Sequence, residues 1–157
     1  SIFESLDDKD WAKNLFQKAE IQNENIREMC DLAESISEIL NDKKWQLNIY
    51  KKATANAKEF SEFYELADNI FAQLGDKKWA GELYYKAEEK AEDCCDLVSL
   101  AECFIEKLGN GEEASRVYKK AETQAEDSLD FYCLAESIVK TLGDRKWADK
   151  VVEKAQL

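Results

Sequence analysis

The chain has 157 residues, 45% of them hydrophobic, and a formal net charge of −12 at pH 7. That size and apolar content suffice for one domain with a sizeable core and exclude a disordered acidic tail. With no proline and only five glycines, a β-rich fold built on tight turns is disfavoured. The acidity argues against nucleic acid and anionic membranes, which are bound through Lys and Arg, and in favour of basic proteins or peptides.

In chain order, the apolar spacing predicts helices at 8–22, 27–40, 42–58, 61–74, 76–92, 95–108, 110–126, 129–142 and 144–156. The first carries Trp11 and ends near Lys18-Ala19. The second carries Leu32-Ala33-Glu34 and stops at Asn41, a residue that tolerates the left-handed backbone closing a helix. The third repeats the first, with Trp45 and Lys52-Ala53. The fourth repeats the second, with Leu66-Ala67-Asp68, and ends on Leu74-Gly75-Asp76. There glycine supplies the left-handed residue and aspartate the N-cap of the next helix. In the fifth, Trp79, Ala80, Leu83, Tyr84, Ala87 and Ala91 share one face. In the sixth, Leu97, Leu100, Ala101, Phe104, Ile105 and Leu108 do so. The seventh follows Gly109-Asn110-Gly111 and has Glu113 in the tryptophan slot, so local irregularity is expected there. The eighth (Leu134-Ala135-Glu136, then Leu142-Gly143-Asp144) and the ninth (Trp147, Lys154-Ala155) resume the pattern.

Three markers therefore share one period of 34 residues: Trp, Lys-Ala and Leu-Ala-acid. Such a period signals a repeat of helix pairs, each pair burying its open face against the next. The expected fold is all-α, an α-solenoid of antiparallel pairs forming a single domain over 1–157. Ser1-Ile2 aligns with Ser35-Ile36, midway along a helix, and Leu157 follows the fifth Lys-Ala marker. This phase suggests a segment of a longer array whose uncapped ends could associate end to end.

The unit resembles the tetratricopeptide repeat. In first helices, Phe63, Leu66-Ala67 and Ile70 match its spacing, as do Phe131, Leu134-Ala135 and Ile138. In second helices, Ala80, Tyr84 and Ala87 match, as do Ala114, Tyr118 and Ala121. The unit departs from the family in lacking its closing proline, in its turn lengths, and in placing a Trp before the second helix's Ala. The resemblance implies a right-handed superhelix whose first helices line a concave groove for proteins or peptides.

By that resemblance Glu34, Asp68, Glu102 and Glu136 form an acidic ladder along the groove. One reading makes it a docking strip for Lys and Arg. The other has it pair internally with Lys52, Lys86, Lys120 and Lys154. Cys30, Tyr64, Val98 and Tyr132 flank it, and Tyr64 and Tyr132 offer the amphipathic area common at interfaces. The tryptophans are expected in the core, and the cysteines (Cys30, Cys94, Cys95, Cys103, Cys133) as small buried side chains.

Enzymatic chemistry is disfavoured. There is no His, hence no Ser-His or Cys-His pair and no imidazole for zinc. No phosphate-cradling glycine loop is present, and the ladder is too regular for a two-carboxylate active site. No metal or other cofactor is expected. The sequence reading is a non-enzymatic binding scaffold in the cytoplasm. A structural spacer within a longer array, or a regulatory domain of a larger protein, are its alternatives.

Overall fold

A computed structural model describes residues 2–156, with side chains from Asp7 to Gln156. Ser1 and Leu157, where the repeat phase breaks off, lie outside the described residues. Every regular element among the described residues is helical. The chain divides into two compact units, Ser1–Asp76 and Lys77–Leu157.

The first unit holds α1 (Ile2–Gln22), α2 (Ile26–Ser35, continued by a π-helical turn over Ile36–Leu40), α3 (Lys43–Asn56) and α4 (Phe60–Leu74). The second holds α5 (Lys77–Lys90), α6 (Cys94–Glu106), α7 (Gly111–Gln124), α8 (Ser128–Leu142) and α9 (Arg145–Ala155). Helices pack as hairpins, α2 with α3, α6 with α7 and α8 with α9. The leading helices also stack, α2 on α4 and α6 on α8. The expected boundaries hold to within two residues, except that α1 starts at Ile2 instead of residue 8.

The turns follow from single residues. Asn41 (φ 52°), Gly75 (φ 63°), Gly109 (φ 67°) and Gly143 (φ 67°) take the left-handed conformation. The residue after three of them caps the next helix: Asp42, Asn110 and Asp144 accept the backbone N–H of Trp45, Glu113 and Trp147. The expected irregularity at Gly109–Gly111 is thus not in the turn, which is closed by bonds from Gly109 N–H to Ile105 O (3.1 Å) and Asn110 N–H to Phe104 O (2.8 Å). It lies in helix length. α6 ends at Glu106, whereas α4 and α8 run up to their glycine.

The core consists of the predicted apolar stripes. Leu66, Ala67, Ile70, Leu100, Ala101, Leu134 and Ile138 of the leading helices are buried, as are Ile49, Tyr50, Leu83, Tyr84, Val117 and Tyr118 of the returning ones. The largest fully buried side chains are the tyrosines Tyr50, Tyr84 and Tyr118, not the tryptophans. Trp11 is 66% exposed, and Trp45, Trp79 and Trp147 are half-buried. The expectation of a tryptophan core is therefore corrected. The indole N–H needs a polar partner, and the edge of the helix layer supplies one while a fully apolar interior does not. Cys30, Cys94 and Cys103 are buried as expected, but Cys133 is half-buried and Cys95 exposed.

Candidate functional site

Each unit contains the same polar clamp. In the first, Glu20 of α1 accepts the Trp45 indole N–H at 2.9 Å and pairs with Lys52, both from α3. In the second, Glu122 of α7 accepts the Trp147 indole N–H at 3.1 Å and Lys154 Nζ at 2.8 Å, both from α9. The ring of Trp45 also meets Phe16 edge-on at 6.4 Å, and that of Trp147 meets Tyr118 at 6.3 Å.

Glu88 of α5 occupies the same position relative to Lys120. Because Glu113 fills the tryptophan slot, Arg116 takes over. Its two terminal nitrogens bind the Glu88 carboxylate at 2.8 and 2.7 Å and its Nε binds Glu113 at 2.9 Å, while Lys120 reaches Glu88 at 3.3 Å. This forked geometry suits a guanidinium and not an ammonium. The Arg116 hydrogen bonds, opposed by burial and helped by Lys120, hold the Glu88 carboxyl below the usual carboxylate range. Burial alone would raise Glu20 and Glu122, but hydrogen bonds from Lys52 and Trp45, and from Lys154 and Trp147, outweigh it and lower both.

These contacts give the partners of three of the four ladder lysines, Lys86 being the fourth. Lys52, Lys120 and Lys154 pair with Glu20, Glu88 and Glu122, not with the acids of the leading helices. In the sequence each of these acids directly follows Lys-Ala (Lys18-Ala19-Glu20, Lys86-Ala87-Glu88, Lys120-Ala121-Glu122), a spacing that the acids of the leading helices share and that therefore does not decide between them.

The candidate groove residues have unlike surroundings. Glu34 and Asp68 are half-buried. Glu102 is half-buried and accepts the Ser137 hydroxyl of α8 at 2.7 Å. Ser137 thereby uses its one proton, so it accepts from the Tyr118 hydroxyl 2.7 Å away. Tyr64 is half-buried, its ring 5.5 Å from that of Phe60. Cys30 is only 1% exposed and does not face a groove. Burial, with the charges of Glu65 and Asp31, pushes its thiol pKa up to about 12.

Tyr132 and Glu136 differ from the rest. Both are exposed, one helical turn apart on α8. They line a shallow groove of about 460 Å³ completed by Ala135, Val139, Lys140, Ala148, Asp149 and Val152. No described helix is long and apolar enough to cross a membrane. No protein-family model, curated protein or solved structure matches the chain, so its local geometry carries the functional argument.

Proposed function

We propose that the chain is a non-enzymatic scaffold that binds a basic protein or peptide through the acidic face of its leading helices, in a right-handed, tetratricopeptide-like stack of 34-residue pairs. The observation that carries this reading is the exposed Tyr132–Glu136 pair beside an open groove. An aromatic face and a carboxylate one turn apart suit a lysine or arginine side chain, the ring contacting the stem and the carboxylate the head group. The stacked-repeat part is supported by the clamp, whose Glu, Trp and Lys recur between units at an offset of 102 residues, three periods of 34.

The test is fluorescence anisotropy with Lys/Arg-rich peptides at low and high salt. Binding should weaken steeply with salt, and both Glu136→Gln and Tyr132→Ala should reduce it. A spacer role is the second reading, favoured by the internal engagement of Glu102 by Ser137. Absence of saturable binding to any basic peptide at low salt would select it.

A further inference from the structure

Gln46, in the first turn of α3, breaks the repeat. The same position carries Ala12, Ala80, Ala114 and Ala148 in the other copies, and all of these alanines are buried. Gln46 is as deep as they are, only 1% exposed. Its primary amide brings two N–H donors into a place that otherwise holds a methyl group. No acceptor among the described residues lies in hydrogen-bond geometry with its Nε2. The Tyr50 hydroxyl, one turn farther along α3, is near enough to feel the amide, yet a single hydroxyl serves only one of two N–H groups. A buried donor without an acceptor is costly, and a polar group that the protein does not serve is commonly served by an ordered water.

The second unit shows what chemistry this place needs. Tyr118 stands two periods after Tyr50, and Glu102 two periods after Glu34. There the Tyr118 hydroxyl meets Ser137 Oγ at 2.7 Å and Thr141 Oγ1 at 2.8 Å, and Ser137 donates to Glu102 at 2.7 Å. A hydroxyl thus links the buried tyrosine to the half-buried acid. In the first unit Asn69 and Gln73 replace Ser137 and Thr141. Asn69 turns its amide to Glu65 O of its own helix at 3.0 Å, and Gln73 is exposed. Tyr50 and Glu34 remain neighbours. Burial first, then Cys30 and Glu34, push the Tyr50 phenol above its usual range. The π-helical turn Ile36–Leu40 packs against α3 in this unit, and such turns are rare and gather at functional sites.

We propose that α2 and α3 hold one internal water where the second unit has its serine hydroxyl. Gln46 Nε2–H donates to the water, the water donates to the Glu34 carboxylate, and the Tyr50 hydroxyl lines the site. The two flanking groups select this occupant. A cation cannot accept from Gln46, and an anion is repelled by Glu34, whereas a water both accepts and donates. Glu34 is then engaged inward, as Glu102 is by Ser137.

Oxygen-17 relaxation dispersion of the solvent tests this, because it counts long-lived internal waters and does not respond to exchanging hydroxyl protons. The full chain is compared with Gln46→Met, which keeps an unbranched side chain of similar length and removes both donors. Circular dichroism checks that the variant is folded. The dispersion amplitude should fall by about one water per chain; equal amplitudes would overturn the proposal. A second measurement needs no variant. In the parent chain the Gln46 side-chain amide protons should give rotating-frame Overhauser cross-peaks to water with the sign of dipolar contact, not of chemical exchange. Amide protons that show no such contact would overturn it equally.

Discussion

Trp45 and Trp147 each combine a half-buried ring with a hydrogen bond to a carboxylate, so their contribution is split between packing and polarity. Trp147→Phe keeps most of the ring but leaves Glu122 without its indole donor, and should cost about 1.5 kcal/mol, the lower end for a hydrogen bond to a charged group. Trp147→Ala should cost more, yet less than the roughly 3–5 kcal/mol of a fully buried aromatic. Trp11, 66% exposed, should be replaceable by Ala within about 0.5 kcal/mol. Urea denaturation of the three variants checks the order, and equal losses at Trp11 and Trp147 would refute this division of roles. Glu88 gives a pH signature. Arg116→Met leaves a carboxylate only 9% exposed with Lys120 alone, a loss of roughly 1.5–3 kcal/mol at pH 7. Because the folded-state pKa of Glu88 is depressed, the stabilisation is complete above the ordinary value of 4.5 and is lost as pH falls through the lower folded value. The gap between parent and Arg116→Met chains should therefore close below pH 4.5. A gap that does not narrow as pH falls below 4.5 would mean that Arg116 acts through packing.

At the scale of elements, helix ends depend on a few left-handed residues whose environments predict the response to substitution. A Cβ at Gly75, Gly109 or Gly143 would meet nothing within 4 Å, so the only obstacle is the positive φ. Gly143→Ala should cost about 1 kcal/mol, while Gly143→Asn should be close to neutral, as Asn41 already holds this conformation at φ 52°. Thermal melts of the pair separate backbone strain from packing, because a steric cause would make the larger asparagine worse. These ends were legible in the sequence because glycine and capping residues act locally. The helices were legible because an apolar stripe at offsets of three and four has one reading. The polar partners were not. Lys52, Lys120 and Lys154 could reach acids on two different helices, and periodicity gives both sets the same spacing. Only the placement of Glu20, Glu88 and Glu122 on preceding returning helices decides between them. The substitution of Arg116 for a tryptophan donor was equally hidden, since it lies three residues beyond the slot it serves. Of the candidate groove, sequence found Tyr132 and Glu136 but could not tell them from Cys30 and Glu102, because exposure depends on what the neighbouring helix covers.

For the whole molecule, charge and the complete absence of histidine set the response to solution conditions. With 34 acidic and 22 basic side chains, the chain carries −12 at pH 7. Self-repulsion of this size opposes compaction and is screened by salt. Raising salt from about 10 to 150 mM shortens the Debye length from roughly 30 to 8 Å. Distant repulsions should then weaken more than the partly buried clamps, so moderate salt should raise the urea midpoint. Histidine is the side chain whose unperturbed pKa lies between pH 5 and 8, and none is present. The thiol pKa values of Cys30 and Cys94 are pushed up to about 12, by burial first and neighbouring acids second, which takes these thiols still farther above that range. Melting temperature should consequently be flat from pH 6 to 8 and fall only where Glu20, Glu88 and Glu122 take up protons, below 4.5. Binding of a basic peptide should be equally flat across pH 6 to 8 and vary with salt alone. A sloping affinity in that window, measured with a peptide that itself lacks histidine, would show that a group other than a carboxylate governs binding and would sink the acidic-face reading.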